Sequence, residues 1–292
     1  MLRWRLILGV LSIALLAALC WADSLVDRPG VFLAPLAVVL CLMATQEMLA
    51  LLRAGGRTPV EWTVYVGTLL PVLASAVPIL WKQYPTDCPI GRLGWLACGF
   101  AAGLVVAVLG EMIRYLQPGQ TISNLGAAAL SILYVGGMIG FLLQLRLMPA
   151  GMIALLSLII IVKLSDTGQY FVGHRFGRQK LAPLLSPGKT REGAFGGIAF
   201  AVVVGSLVFS FLMNGKMGIM PSNLLPWMVY SLVISLAGIV GDLAESLLKR
   251  DAGVKDSSNW LPGFGGVLDL LDSLLLAAPL AYVCWIGGLL GP

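Results

Sequence analysis

Polar positions along this chain are few and bunched, and the apolar stretches between them are long. Predominantly apolar runs cover 6–21, 31–52, 62–81, 93–113, 125–145, 147–164, 195–213, 226–246 and 268–290. A helix of about 20 apolar residues crosses the hydrocarbon core of a bilayer. The pattern therefore predicts an all-α, polytopic integral membrane protein with about nine transmembrane helices. The fifth and sixth runs are parted only by the neighbourhood of Arg146 and Pro149, so that boundary is the narrowest. Met1 to Ala22 has the outline of a secretory signal, with Arg3 and Arg5 ahead of an apolar stretch. It lacks small residues at both key cleavage positions and is read as the first span.

Composition agrees: 59% of residues are hydrophobic and 11% charged, which excludes an ordinary soluble domain. The net charge of +5 suits a protein that meets anionic headgroups or phosphates. With the N-terminus inside, fourteen of the nineteen lysines and arginines fall on the inner side, which favours an N-inside, C-outside arrangement. The loops 165–194 and 247–267 then share the cytoplasmic face of the cell (inner) membrane with residue 1. The five cysteines show no CxxC spacing and suggest neither a zinc site nor a disulfide framework.

The two halves differ in character. Residues 1–150 read as an N-terminal transmembrane scaffold, and 151–292 as a C-terminal transmembrane catalytic half with cytoplasmic loops. No internal repeat is visible, which argues against an inverted-repeat transporter. In the first half Glu111 precedes Arg114 at i+3, a boundary pair. Glu47 lies in an apolar run and is weak evidence taken singly.

Chemistry concentrates between Gly241 and Ser273, which holds six of the fourteen carboxylates. On a helix, Asp242, Glu245, Ser246 and Lys249 share one face. After Pro262-Gly263-Phe264-Gly265-Gly266, the first turn of a second helix would carry Asp269 and Asp272 at i and i+3. Solvated helix ends and N-terminal capping offer a plainer account of such residues. Capping explains Asp269 alone, but not acids at the end of an apolar helix, where the dipole disfavours them. Upstream, Asp166 follows an apolar run, and Ser186-Pro187-Gly188-Lys189-Thr190 could cradle phosphate without being a Walker A motif. His174 is the only histidine, so no His-based triad can be built near Ser246.

These residues carry a resemblance. Ser246-x-x-Lys249-Arg250-x4-Lys255-Asp256, followed by Pro262-Gly263-x-Gly265-Gly266-x-x-Asp269-x-x-Asp272, resembles the signature of the phosphatidate cytidylyltransferases, or CDP-diacylglycerol synthases. Asp166-Thr167-Gly168 through Ser186-Pro187-x-Lys189-Thr190-x-Glu192-Gly193 is similar to a second block of that family. Together the two blocks span roughly the C-terminal 130 residues.

The resemblance implies cytidylyl transfer from CTP to phosphatidic acid, giving CDP-diacylglycerol and pyrophosphate in phospholipid biosynthesis. It implies Mg²⁺, in that family sometimes accompanied by K⁺, with Asp242, Asp269 and Asp272 as the metal carboxylates. Ser246 and Lys249 would contact phosphate, while Asp166, Lys189 and Arg191 would lie on the nucleotide or headgroup side. Three positions depart from the family pattern: Phe264 stands where His is usual, Leu270 where Arg is usual, and Arg191 where an apolar residue is common.

The reaction type also fits the residues themselves. A phosphate monoester, with a second pKa of about 6, is already an anionic nucleophile and needs alignment and charge neutralisation rather than a base. Mg²⁺ held by one or two carboxylates suits that task. Lys189, Lys249, Arg250 and Lys255 would complete the positive field around the departing pyrophosphate. The partners expected are CTP, phosphatidic acid and membrane lipids, with no nucleic acid; a homodimer is left open. Two other readings stay open, a CTP-dependent polyprenol or phytol kinase and a non-enzymatic ion or anion transporter.

Overall fold

In the computed structural model the described residues are 2–81, 84–85, 87–217, 224–258 and 265–290. They form eleven α-helices and one short hairpin. The helices are α1 (Leu2–Ser24), α2 (Leu33–Ala54), α3 (Glu61–Leu80), α4 (Gly91–Arg114), α5 (Thr121–Ser131), α6 (Met138–Arg146), α7 (Gly151–Phe176), α8 (Arg191–Phe200), α9 (Ser206–Met217), α10 (Leu224–Asp251) and α11 (Val267–Ile286). A π-helical turn, Ile132–Gly137, joins α5 to α6, and another, Ala201–Gly205, joins α8 to α9. Among the described residues eight helical segments are long and apolar enough to cross a membrane, and Gly9–Ser24 of α1 is a shorter apolar helix. This is the polytopic all-α architecture that the hydrophobic pattern predicts.

Two helices run further than their apolar stretches suggest. Helix α7 continues past residue 164 to Phe176, so Asp166 lies inside a helix rather than at the start of a loop. Helix α10 continues to Asp251, so Asp242 is interior and not at a helix end. The expected loop 165–194 shrinks accordingly. Its remainder is an antiparallel hairpin, β1 (Lys180–Ala182) with β2 (Ser186–Thr190), in which Lys180 pairs with Thr190 and Ala182 with Ser186.

The chain divides into two compact units. The first comprises 1–152 and 248–271, the second 153–247 and 272–292. In the first, α3 and α4 pack through glycines: a Cβ on Gly103 would come within 2.6 Å of the Gly67 carbonyl, and one on Gly99 equally near that of Leu70. Without a hydrophobic drive between helices in lipid, such close approach is what holds them. Buried hydroxyls add to it, with Thr45 and Thr68 2.8 Å apart. At the other end of these helices, fully buried Asp23 accepts hydrogen bonds from Gly30 N and Phe32 N, both at 2.9 Å, and from Arg146 Nε at 2.7 Å. That pair ties α1, the following turn and α6 together.

In the second unit an aromatic cluster surrounds buried Tyr230. Its hydroxyl lies 3.0 Å from Ser157 Oγ, and Trp227 stacks on Phe209 at 5.2 Å. The hairpin is fixed to α8 by capping chemistry. Thr190 Oγ1 accepts from Gly193 N at 3.1 Å, and Glu192, in the first turn, accepts from Arg178 N at 3.0 Å and Gln179 N at 3.1 Å. The first bond satisfies an N–H group that the start of α8 otherwise leaves unpaired, and the Glu192 bonds tie the strand-entry backbone to α8.

Candidate active site

In the second unit the hairpin block meets the stretch of α10 that leads into the signature. Lys189, from the hairpin, forms an ion pair with Asp242 on α10, and both side chains are largely buried. Lys163 and Asp166 pair along α7 at 3.4 Å. Asp242 lies within electrostatic range of both Asp166 and Asp272. Asp272 is near because of a close backbone crossing: a Cβ on Gly241 would stand 2.6 Å from the Asp272 carbonyl and 3.1 Å from Ser273 Cα. Only glycine at 241 lets α10 and α11 approach so nearly. Ser246, one turn beyond Asp242, is buried with its hydroxyl 3.5 Å from Asp242 Oδ1.

In the first unit a second cluster forms around Asp269. Its Oδ1 accepts from Lys249 Nζ at 2.6 Å. Its Oδ2 accepts from Gly266 N at 2.8 Å, Ser257 N at 3.0 Å and Ser257 Oγ at 2.6 Å. Asp269 is the third residue of α11 and reaches back to the N–H just before the helix, the reciprocal half of a capping box. The Gly-Gly pair follows from this: Gly265 has φ +87°, which L side chains rarely adopt, and a Cβ on it would lie 2.5 Å from Asp269 Oδ2.

Sequence reasoning gave too little weight to Glu47. Buried on α2, it accepts hydrogen bonds from Val267 N, Leu268 N, Ser257 Oγ and Ser258 Oγ. The available signal was a carboxylate inside an apolar run, which by default marks function. The expected cations are less gathered. Arg191 stays at the foot of the hairpin with Gln179, Arg250 donates to the Val254 carbonyl, and Lys255 is exposed. Pro262, Gly263 and Phe264 lie outside the described residues.

The carboxylates divide by chemistry. Asp242 and Asp272 offer hard oxygens near cationic partners, the donor set that Mg²⁺ takes when it binds one or two carboxylates plus substrate phosphates. Asp269 already accepts four hydrogen bonds. Among the described residues no three His, Cys, Asp or Glu side chains stand at metal-ligand spacing.

The model of the cytidylyltransferase family matches residues 3–286. The chain belongs to the cytidylyltransferase family. Among curated members, the phosphatidate cytidylyltransferase of Staphylococcus epidermidis is 32% identical over 275 residues, covering 94% of this chain and 96% of its own. That of Haemophilus influenzae is 43% identical over 129 residues, 44% of each chain. That of Bacillus subtilis is 36% identical over 163 residues, 56% of this chain and 58% of its own. The family match thus covers the N-terminal helices as well as the two motif blocks, which lie only in the C-terminal part.

Proposed function

We propose that this membrane protein is a phosphatidate cytidylyltransferase, joining CTP and phosphatidic acid to give CDP-diacylglycerol and pyrophosphate. The observation that carries the reading is the Lys189–Asp242 pair, which brings one motif block, inside one unit, to the stretch of α10 that leads into the other. The family match favours this reaction over the polyprenol kinase and transporter readings.

In this reading a phosphate oxygen of the lipid attacks the α-phosphorus of CTP, one P–O bond forms, and the bond to pyrophosphate breaks. The attacking oxygen is already anionic, so no side chain need remove a proton. His174 is accordingly spare: it stacks on Tyr170 at 6.0 Å. Lys189 and Lys163 would neutralise nucleotide phosphates; Lys249, a phosphate contact by the family resemblance, is held by Asp269 within the first unit. Mg²⁺, for which Asp242 and Asp272 are the fitting ligands, supplies charge neutralisation and in-line alignment when bound. K⁺ as a companion ion and a homodimeric state remain parts of the proposal that the same preparation can address.

The test is purified protein incubated with phosphatidic acid, Mg²⁺ and each of the four nucleoside triphosphates. Mass spectrometry should find CDP-diacylglycerol with CTP and none after excess EDTA. Product from CTP and a polyprenol, but not from phosphatidic acid, would replace the reading with the kinase.

We also propose that residue 1 and the hairpin face the cytoplasm, on the strength of the lysine and arginine distribution. Cys88, between α3 and α4, and Gly188, in the hairpin, are separated by three spans and so belong on opposite sides. Nothing lies within 4 Å of a Cβ on Gly188, so Gly188→Cys should fold normally. An impermeant maleimide added to intact cells should label Cys88 at once, and Cys at 188 only after permeabilisation. Immediate labelling at 188 would reverse the orientation.

A further inference from the structure

The start of α11 is held by a carboxylate that arrives from α2. Glu47 is 3% exposed, and each of its oxygens accepts one backbone N–H and one hydroxyl. Oε1 takes Val267 N at 2.9 Å and Ser258 Oγ at 2.8 Å, while Oε2 takes Leu268 N at 2.7 Å and Ser257 Oγ at 3.0 Å. A carboxylate at the positive end of a helix is favourable. Burying one in an apolar helix is nonetheless costly, and α11 already has a reciprocal cap in Asp269. Capping alone therefore does not account for Glu47.

What Glu47 adds is a hold on Ser257. That hydroxyl shares its one proton between two carboxylates, 3.0 Å from Glu47 Oε2 and 2.6 Å from Asp269 Oδ2, while the Ser257 N–H also donates to Asp269. Asp269 in turn orients Lys249. The backbone is cut to fit, because a Cβ on Gly266 would collide with both Glu47 Oε2 and Ser257 Oγ. All these residues belong to the first unit.

We propose that Glu47 is a positioning residue for nucleotidyl transfer, fixing Asp269 and its partner Lys249 through Ser257 and the first turn of α11. The inference rests on the cytidylyltransferase reading above. It gives the N-terminal half, otherwise a scaffold of apolar helices, a direct part in the geometry of the C-terminal signature.

Glu47→Gln in the full chain keeps the shape but replaces one oxygen with an NH₂ that cannot accept from the N–H and hydroxyl facing it. The expected result is a kcat about 10- to 100-fold lower, with KM for CTP changed by less than about threefold. CTP-binding stoichiometry by calorimetry should stay at the wild-type value, which a loss of folded protein would not allow. Glu47→Asp, which retains both acceptor oxygens, should recover most of the rate. Ser257→Ala leaves Glu47 on the α11 amides and the residue-257 N–H on Asp269, removes the hydroxyl that joins the two carboxylates, and should reproduce the loss if Glu47→Gln does not fold. Wild-type kcat in folded Glu47→Gln, or in Ser257→Ala, overturns the role while leaving the enzyme reading intact. A wild-type protein that forms no CDP-lipid overturns both.

Discussion

Asp242→Asn is expected to leave a folded membrane protein that makes CDP-diacylglycerol about 10³-fold more slowly or worse, a barrier increase of about 4 kcal/mol. The substitution keeps the side chain's size, so α10 and α11 can still cross at Gly241. It removes the charge that pairs with Lys189 and that, with Asp272, would hold Mg²⁺. Removal of one electrostatic contact to the developing charge typically costs about 10²–10³ in rate; here one change affects both a cation's placement and the proposed ion. The check is steady-state turnover across a Mg²⁺ titration, beside a thermal midpoint in detergent. An unchanged rate at limiting Mg²⁺ would remove Asp242 from the metal site.

Arg146→Ala is expected to act on stability instead. It strips the partner from Asp23, a fully buried carboxylate, and leaves only the Gly30 and Phe32 N–H groups to hold it. Breaking a buried pair by removing one member costs about 3–5 kcal/mol, because the remaining charge is uncompensated. In a unit of this size that corresponds to a midpoint lower by about 10 °C. Asp23→Asn combined with Arg146→Gln should recover part of the loss by removing both charges. The molecules that stay folded should turn over normally, since Asp23 and Arg146 lie at the opposite end of the first-unit helices from Glu47. A midpoint equal to wild type would mean that Asp23 finds compensation elsewhere.

The spans were legible in the sequence because hydrocarbon imposes one rule on every residue inside it. The limits of that rule appear where helices leave the apolar layer. Polar residues such as Asp166 and Gln169 resemble a loop, yet α7 holds its backbone bonds until Gly177. Helix α10 likewise runs to the turn at Gly253, whose φ of +71° and N–H to the Arg250 carbonyl stop it. The motif spacing brought Lys189, Asp242 and Asp272 into one account, and in the second unit Lys189 does reach Asp242. Spacing could not separate Asp269, whose position at the start of α11 makes it a cap, from Asp272 one turn later. Nor could it weigh Glu47, whose partners lie 210 to 221 residues further along the chain. Local pattern reports what a residue's neighbours are, and the partners of Glu47 are not neighbours in sequence.

That separation bears on how the chain is made. Helix α2 enters the bilayer early in synthesis, and its carboxylate must wait there until α11 begins to emerge. During that interval the N-terminal helices can pack through their glycines but cannot close around their charge. Closure around that charge thus waits for the segment that bears the family signature. A nascent chain that stops before α11 would keep an acid in the membrane without the N–H groups that hold it.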